Sequence, residues 1–305
     1  MANKIICFGF TEVDLTNTDK ILFPVANITK SEFIDYYARI GDIMLRYVKD
    51  RCVSLNRFPD GVDGKSFYHK DAEDYFPEWV RRFPVKRSDG KKVNYVVPEN
   101  VATLVYLANL ASVMHPWLSK IEHLDTPDRL IFDFDPSAKI TFGAIKRAAL
   151  DLKGILEDEL GLKSFIMTTG SRGLHITVPI KPEQDFAVVK EFAKGVAQIL
   201  VARNPKKYTL ELRKEKRGDK IFIDTLRNEY GQTAVAPYAV RFIEGGPIAT
   251  PIGWDELKKI KNAQHYTLKN IFRRLARYED PWKDIDSHAQ SITKAIKLVA
   301  KLGKK

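Results

Sequence analysis

Two aspartates separated by one residue close a hydrophobic run near the middle of the chain, as Asp133-Phe134-Asp135. Side chains alternate between the faces of a strand, so both carboxylates are predicted to share one face while Phe134 points into the core. Carboxylates this close repel each other unless a cation lies between them, and Mg²⁺ and Mn²⁺ prefer oxygen ligands. The spacing therefore predicts a metal site, with the alternative that the two aspartates only cap the turn before Pro136.

A third acidic residue, Asp224, ends another apolar run, Ile221-Phe222-Ile223. An ionised carboxylate in such a strand is costly to bury, so it is expected to face solvent or a metal ion. Phosphoryl transfer by two metals uses carboxylates that bridge both ions. Asp133, Asp135 and Asp224 are therefore the predicted catalytic residues, and the predicted ligands of two divalent metal ions, Mn²⁺ or Mg²⁺.

A segment rich in glycine and hydroxyl groups lies between the two acidic strands, Thr169-Gly170-Ser171-Arg172-Gly173-Leu174-His175. Such a turn can direct backbone N–H groups toward phosphate, and the Arg172 guanidinium adds a forked donor. His175 opens the next strand and can donate to a phosphate oxygen, although a single histidine on a strand is more often structural. The order of acidic pair, glycine-rich turn and strand aspartate is more specific than any one of these features.

The hydrophobic pattern predicts the elements that position these residues. From Arg129 onward the order is strand, helix, strand, strand, helix, strand, which indicates a split βαβ sheet with both helices on one face. These elements are predicted over residues 130–134, 142–156, 164–167, 174–180, 186–200 and 221–226. Toward the N-terminus, Thr29-Lys30-Ser31-Glu32 is a capping box that opens a helix, and residues 99–112 indicate a buried helix.

The remaining segments complete an α+β prediction. Residues 57–64 are rich in turn residues between short strands, and the basic residues over 81–92 indicate a hairpin or loop. One integrated domain of three parts is expected: an N-terminal part over 1–115, a sheet-bearing part over 116–251, and a mostly helical, basic segment over 252–305.

Charge and composition narrow the class of protein. The chain has 305 residues, with 50 Lys plus Arg against 39 Asp plus Glu, so its formal net charge is +11. Such an excess favours a polyanionic partner, and DNA, ribosomal RNA and anionic lipid all fit charge alone. No apolar run is long enough for a membrane span and no signal peptide is evident, so a cytoplasmic location is expected. Cys7 and Cys52 lack zinc-ligand spacing and are expected to be buried, reduced thiols.

Taken together, the motifs resemble the archaeo-eukaryotic primase superfamily, and more closely the polymerase domain of bacterial ligase D and its stand-alone relatives in non-homologous end joining. The resemblance covers roughly residues 12–260, and the matching segments are 15–24, 28–30, 57–61, 115–116, 133–136, 170–175, 233–238 with Arg241, and 247–257. It implies a primase-polymerase fold, in which a split βαβ catalytic sheet like that of RNA-recognition modules packs with an N-terminal α/β subdomain.

The resemblance also implies roles for single residues at the nucleotide site. Besides the three metal-binding aspartates, the incoming nucleotide, mainly its triphosphate, would contact His115, Thr169, Ser171, Arg172, His175, Arg227 and Arg241. Two positions depart from the family pattern, because Thr169 stands where many relatives carry Ser and Arg227 stands where Gln is expected. These departures put nucleotide selection in question but remove no metal ligand.

A second group of residues would contact DNA in the N-terminal part. Lys20 and Lys30 would bind the 5′-phosphate at a gap or break, with simple solvation of both lysines as the alternative. Arg57, Phe67 and Tyr68 would lie against the template or duplex end, since aromatic rings stack on bases without selecting sequence. Because neighbours on a strand alternate, one of the two aromatic rings is expected to pack inward.

The implied function is a template-dependent nucleotidyltransferase that fills gaps at DNA ends, prefers ribonucleotides and works by two-metal in-line phosphoryl transfer in non-homologous end-joining repair. The expected partners are gapped or 3′-overhanging DNA ends with 5′-phosphates, nucleoside triphosphates, and a separate Ku and ATP-dependent DNA ligase, since no ligase motif fits this length. The expected location is the nucleoid of a prokaryotic cell.

Other functions stay open at this point. A DNA primase or primase-polymerase would use the same residues. A haloacid dehalogenase-type phosphatase would begin with a motif such as Asp133-Phe134-Asp135-Pro136-Ser137, although that motif belongs near the start of its domain and Asp284 and Asp286 are poor candidates for the later acids. A non-catalytic DNA-end bridging module fits the charge but leaves three strand carboxylates without a role.

Overall fold

The computed structural model describes residues 4–86, 90–137 and 139–303. The strands in chain order are β1 (Lys4–Phe8), β2 (Thr11–Leu15), β3 (Ile21–Phe23), β4 (Ile28–Thr29), β5 (Val53–Arg57), β6 (Phe67–His69), β7 (Arg82–Lys86), β8 (Lys92–Val96), β9 (Ser112–Pro116), β10 (Arg129–Pro136), β11 (Phe165–Thr168), β12 (Leu174–Pro179), β13 (Tyr208–Thr209), β14 (Ile221–Asp224) and β15 (Thr250–Ile252). The α-helices are α1 (Lys30–Val48), α2 (Val101–Asn109), α3 (Phe142–Gly154), α4 (Phe186–Arg203), α5 (Ile271–Leu275) and α6 (Thr293–Leu302). Arg87, Lys304 and Lys305, which contribute to the predicted basic segments, lie outside the described residues.

The chain forms two compact units, each assembled from separate segments. The first unit contains Met1–Glu122, Thr233–Ala249 and Tyr266–Arg277, and the second contains His123–Gln232, Thr250–His265 and Tyr278–Lys305. The contiguous parts predicted from the sequence differ from this division. Contacts with helix α1 are one physical reason: the Tyr36 hydroxyl donates to the Tyr238 carbonyl at 2.6 Å, and the Val240 N–H donates to the Tyr37 hydroxyl at 3.1 Å.

Helix α1 begins at the predicted capping box. The Thr29 hydroxyl accepts from the Glu32 N–H at 3.2 Å, and the Glu32 carboxylate accepts from the Thr29 N–H at 2.8 Å. The predicted apolar face of α1 is buried, with Phe33, Tyr37, Ile40 and Met44 in the core of the first unit. Capping and periodicity are local properties, and both predictions are confirmed.

An aromatic cluster fixes the turn that follows strand β5. The ring centroid of Phe242 lies 4.3 Å from that of Phe58, 5.2 Å from that of Phe23 and 5.3 Å from that of Phe33. Phe58 follows directly on Arg57, the last residue of β5. The cluster therefore anchors the predicted turn-rich segment over residues 57–64 to the core of the first unit.

Strand β5 is the hub of the first unit's sheet. It pairs antiparallel with β6, β8 and β9, and β7 pairs antiparallel with β8. The turn-rich segment thus connects β5 to β6, and the basic stretch forms a hairpin of β7 and β8, as predicted. Helix α2 confirms the predicted buried helix.

The second unit contains the predicted split βαβ sheet. Its strand order is β13-β14-β10-β12-β11-β15, and each neighbouring pair is antiparallel except β13 with β14. Strand β12 lies between β10 and β11, and β10 lies between β12 and β14, so both crossovers through α3 and α4 are split. Both helices contact β10 and each other, which places them on one face. The predicted α+β class is confirmed.

The C-terminal segment is less helical than predicted. Beyond residue 252 the α-helices are α5 and α6, and turns make up much of the remainder. Helix α6 packs against α4, and single side chains hold other parts of the segment in place. Trp282, for example, is buried, and its indole N–H donates to the Ile166 carbonyl of β11 at 3.1 Å.

The two cysteines, both expected to be buried, differ in exposure. Cys52 is buried as expected, whereas Cys7 is exposed because it lies on the poorly covered hairpin of β1 and β2.

Among the described helices, none has both the length and the apolar character that crossing a bilayer requires.

Candidate active site

Strands β10, β12 and β14 bring the predicted acidic residues onto one face of the sheet. Asp133 is in register with His175 on β12 and with Asp224 on β14. Asp135 lies two residues further along β10 and shares this face, whereas Phe134 between them is buried. The predicted alternation of β10 between an acidic face and a buried face is confirmed.

The carboxylates of Asp133 and Asp224 are close and shielded, with side-chain exposures of 15% and 16%. Burial raises the pKa of Asp224 above its ordinary value, and the Asp133 carboxylate adds to this effect. The Leu226 N–H, which donates to Asp224 Oδ1 at 2.8 Å, opposes the rise in pKa. Asp224 therefore caps a turn and also belongs to a site whose electrostatics favour a cation.

Nitrogen atoms of two further candidates approach these carboxylates. The Arg227 Nε atom lies 3.5 Å from Asp133 Oδ2 and 3.9 Å from Asp224 Oδ2. The His175 Nε2 atom lies 3.4 Å from Asp133 Oδ1, and His175 Nδ1 is buried without a hydrogen-bond partner among the described residues. Arg227 and His175 thus border the acidic cluster, in keeping with the region that the sequence predicted for them.

Arg217 is a site residue that the sequence analysis missed. Its Nη1 atom donates to Asp135 Oδ2 at 3.0 Å, and its Nε and Nη2 atoms donate to the carbonyls of Glu211 and Leu212, both at 2.8 Å. The guanidinium lies 3.9 Å from the ring centroid of Phe222, which is in register with Asp135 on the neighbouring strand β14. Arg217 therefore fixes the Asp135 side chain, although its sequence surroundings, 213–220, have the composition of a solvated turn.

Asn228 was also missed, and it positions the segment that carries Arg227. The buried Asn228 amide accepts from the Ile131 N–H at 2.8 Å and donates to the Ile131 carbonyl at 2.8 Å. It also donates to the Thr225 carbonyl at 2.8 Å. The side chain therefore pairs with β10 as a neighbouring strand would and holds the 224–228 turn beside Asp133.

The glycine-rich turn is organised internally by Thr169. The Thr169 hydroxyl accepts from the N–H groups of Ser171 at 3.3 Å and Gly173 at 3.2 Å. These two N–H groups point into the turn, so the prediction that the turn presents N–H groups to phosphate does not hold for them. A Cβ atom at Gly173 would overlap the Phe134 carbonyl oxygen, so this glycine brings the turn against β10 between the two aspartates. Arg172 is exposed and Ser171 half-buried.

The donor chemistry suits a hard divalent cation, since three carboxylates share one face of the sheet. Among residues 4–86, 90–137 and 139–303, however, no three or more His, Cys, Asp and Glu side chains are arranged as a group that could hold a metal ion. Asp135 is directed to Arg217, and the other two carboxylates are bordered by Arg227. Binding of two metals by Asp133, Asp135 and Asp224 stays a prediction.

In the first unit, the two lysines predicted to bind a 5′-phosphate are joined through their backbone. The Lys30 N–H donates to the Lys20 carbonyl at 2.7 Å, and the Lys30 ammonium donates to the Thr16 carbonyl at 2.6 Å. Burial lowers the pKa of Lys30 to about 8, and the nearby Lys20 and Arg57 cations add to this effect. Lys30 is buried, so the alternative of simple solvation is wrong for that residue.

The predicted template-contacting residues gather at β6. Phe67 and Tyr68 have 48% and 63% of their surface exposed, so the expectation that one ring packs inward is wrong. Strand β6 has three residues, and its buried position is taken by His69. The Arg57 guanidinium lies 5.4 Å from the Phe67 ring centroid and donates to the hydroxyl of Tyr75 at 3.0 Å. Tyr75, itself exposed, adds a third aromatic ring that the sequence analysis missed.

The last two nucleotide-binding candidates belong to the first unit. His115 is buried on β9, and its ring packs against that of Tyr68 with centroids 6.0 Å apart. Arg241 is half-buried, and its N–H donates to the Pro247 carbonyl at 2.7 Å. The other candidates, Thr169, Ser171, Arg172, His175 and Arg227, belong to the second unit.

Comparison with known proteins confirms the resemblance to the polymerase domain of ligase D. The family model of the LigD primase-polymerase domain matches residues 29–282. The multifunctional non-homologous end joining protein LigD of Pseudomonas aeruginosa is 31% identical over 289 residues, covering 93% of this chain and 34% of that protein. The bifunctional non-homologous end joining protein LigD of Bacillus subtilis is 29% identical over 281 residues, covering 92% of this chain and 45% of that protein.

A solved structure extends this similarity to three dimensions. The polymerase domain of Mycobacterium tuberculosis ligase D, in complex with DNA, matches with a TM-score of 0.84 and 29% identity, covering 91% of this chain and 99% of that one. The chain spans between a third and a half of the length of the curated relatives described above.

Proposed function

Because the chain belongs to the family of LigD primase-polymerase domains, we propose that it is a template-dependent nucleotidyltransferase that adds nucleotides at DNA ends during non-homologous end-joining repair. One observation carries the proposal: Asp133 is in register with both Asp224 and His175, with Asp135 on the same face. This arrangement places three carboxylates on one surface, which suits phosphoryl transfer assisted by divalent cations.

We propose that Asp133, Asp135 and Asp224 hold two divalent metal ions, Mn²⁺ or Mg²⁺. When bound, such ions lower the pKa of an attacking hydroxyl and neutralise charge on a leaving pyrophosphate. The raised pKa of Asp224 supports this assignment, since a bound cation would favour the ionised carboxylate. Arg217 orients Asp135, and Asn228 holds the turn that places Arg227 beside the other two carboxylates.

The nucleotide is proposed to bind beside these carboxylates through its phosphates. Arg172 and Arg227 provide forked cationic donors, and His175 lies beside them with its Nε2 atom 3.4 Å from Asp133 Oδ1. Thr169 shapes the turn that presents Arg172. The primer 3′-hydroxyl then attacks the α-phosphate in line, and pyrophosphate leaves. Contacts from His115, Ser171 and Arg241 to the nucleotide stay predictions.

The DNA end is proposed to bind to the first unit. Lys20 and Lys30 contact the 5′-phosphate, while Phe67 and Tyr68 stack against the template or duplex end beside Arg57. A preference for ribonucleotides, and cooperation with a Ku protein and an ATP-dependent DNA ligase, are further parts of the proposal. These parts rest on the resemblance alone, whereas the role in end joining is supported by the names of the curated relatives, which are non-homologous end joining proteins.

The test is nucleotide addition to gapped DNA that carries a 5′-phosphate, with Mn²⁺ present. Wild-type protein and Asp224→Ala are compared with ribonucleotides and with deoxynucleotides. The proposal predicts extension by the wild type, a preference for ribonucleotides, and loss of extension in the variant with DNA binding retained. Phosphate release from small esters without extension would indicate a phosphatase, and DNA binding without either activity would indicate a bridging module. Extension from an unprimed template would assign primase activity.

A further inference from the structure

Asp60 lies beside the predicted 5′-phosphate site, where its carboxylate contacts Lys20. The Asp60 Oδ1 atom is 2.8 Å from Lys20 Nζ. Solvent reaches 37% of the Lys20 side chain and 73% of the Asp60 side chain. A DNA end can therefore approach an ammonium that already has an anionic partner.

The backbone fixes Asp60 in this position. The Val62 N–H donates to the Leu22 carbonyl at 2.9 Å, which joins the Asp60 turn to the strand that follows Lys20. Gly61 has a φ of +77°, and a Cβ atom there would lie 2.7 Å from the Leu22 carbonyl oxygen. Only glycine allows this approach. The backbone therefore places Asp60 beside Lys20.

Lys20 belongs to a concentrated group of cations. Lys30 is hydrogen-bonded to the Lys20 backbone, and the charges of Lys20 and Arg57 both lower the pKa of Lys30. Neighbouring cations with little anionic compensation attract any phosphate. The Asp60 carboxylate offsets one of these charges and occupies the ammonium that is accessible to solvent.

We infer that Asp60 is an internal competitor for the 5′-phosphate, pairing with Lys20 in the free protein and releasing it when a terminal phosphate binds. The inference rests on the proposed function, because it takes Lys20 and Lys30 as the phosphate site. A terminal phosphate monoester carries about −1.5 to −2 charge near neutral pH, and so displaces the singly charged carboxylate. Asp60 thereby sets the affinity for phosphorylated ends below the value that the lysines alone would give.

The test compares Asp60→Asn with Asp63→Asn, which removes the same charge from an exposed position in the same turn. Dissociation constants are measured by fluorescence anisotropy for two gapped DNAs that differ only in a 5′-phosphate or 5′-hydroxyl. Asp60→Asn is expected to tighten binding of phosphorylated DNA about 2- to 5-fold, the worth of an exposed ion pair. Asp63→Asn is expected to have a smaller effect, and the two variants should behave alike on 5′-hydroxyl DNA.

A Lys20→Ala background completes the test. In that background, Asp60→Asn should tighten binding of phosphorylated DNA no more than Asp63→Asn does, because the Lys20 ammonium is absent. Weaker binding by Asp60→Asn would overturn the inference and make Asp60 a residue that positions Lys20. If Asp63→Asn tightened binding equally, the effect would come from net charge alone, and the inference would be overturned as well.

The same measurements separate failure of the inference from failure of the proposed function. A preference for phosphorylated DNA that falls in Lys20→Ala but is unchanged in Asp60→Asn overturns the competitor alone. A preference that is undiminished in Lys20→Ala overturns both the competitor and the proposed Lys20–phosphate contact. Nucleotide addition to the 5′-hydroxyl DNA reports on the polymerase independently of this site.

Discussion

Asp133 and Asp224 stand directly opposite each other on neighbouring antiparallel strands, with Arg227 Nε within 4 Å of a carboxylate oxygen of each. Opposite residues on an antiparallel pair project from the same face at close range, so their charges interact strongly. Burial adds to the cost of ionising Asp224. This arrangement lowers the stability of the fold but creates a surface that attracts cations.

The Asp224→Asn substitution should therefore stabilise the fold while it removes activity. Since the pKa of Asp224 is raised in the folded chain, stability falls as pH rises from about 4 through the folded pKa, and the ionised group is unfavourable near neutral pH. Asn keeps an oxygen that can accept from the Leu226 N–H. Differential scanning fluorimetry in EDTA near pH 7 should show a higher Tm for the variant.

Exposed Asp158 provides the matched control for this prediction, because Asp158→Asn makes the same change in net charge outside the cluster. Nucleotide addition by Asp224→Asn should fall about 100-fold or more, since charge stabilisation by a metal is worth several kcal/mol. A Tm below that of the wild type would show that the cap on Leu226 outweighs the repulsion.

Removal of the Arg217 side chain should destabilise the second unit. Arg217→Ala leaves the Asp135 carboxylate and the carbonyls of Glu211 and Leu212 without their donor. The expected loss is about 1–3 kcal/mol, and urea unfolding measures it. Arg213→Ala, at an exposed position four residues earlier, is the control and should stay within about 0.5 kcal/mol of the wild type. Equal stability of the two variants would contradict the role assigned to Arg217.

Gly173→Ala tests how closely the glycine-rich turn approaches β10. The added Cβ atom would overlap the Phe134 carbonyl oxygen, a backbone atom that moves only with the strand. The expected cost is about 1–3 kcal/mol, together with reduced nucleotide addition. At Gly143, near the start of α3, a Cβ atom meets nothing closer than 3.8 Å, so Gly143→Ala should keep or raise the Tm. A wild-type Tm for Gly173→Ala would contradict the packing described here.

Recognition of the 5′-phosphate should weaken as Lys30 loses its proton. Burial and two nearby cations lower the pKa of Lys30 to about 8, and a bound phosphate favours the protonated form. The ratio of affinities for 5′-phosphate and 5′-hydroxyl DNA should therefore be several-fold larger near pH 7 than near pH 9, where about a tenth of Lys30 stays charged. Lys30→Arg, which stays protonated, should show a flatter profile. An unchanged ratio in the wild type would contradict the assignment of Lys30.

Local sequence patterns were sufficient for the elements and for the acidic face. The capping box at Thr29, the buried stripe of α1 and the alternation around Phe134 each depend on a few consecutive residues, and each was predicted correctly. The order of strands and helices after Arg129 also indicated the split sheet, because that order is typical of the split βαβ motif.

Contacts between distant positions explain what the sequence analysis missed. Arg217 is separated from Asp135 by 82 positions, Asn228 from Ile131 by 97, and Asp60 from Lys20 by 40. No periodicity in the sequence identifies such pairs, and Arg217, Asn228 and Asp60 each lie in a polar segment with the composition of a surface turn. A different cause applies to Phe67 and Tyr68, where alternation fails because β6 is a three-residue strand at the edge of its sheet.

The most direct test of the proposed function is whether the template base selects the nucleotide that is added. Four gapped, 5′-phosphorylated DNAs that differ only in the templating base are each given single ribonucleotides with Mn²⁺, using wild type and Asp133→Asn. If the proposed function is right, each template directs addition of its complement, and Asp133→Asn abolishes addition on all four. Addition that ignores the template base, or that survives in Asp133→Asn, would contradict it.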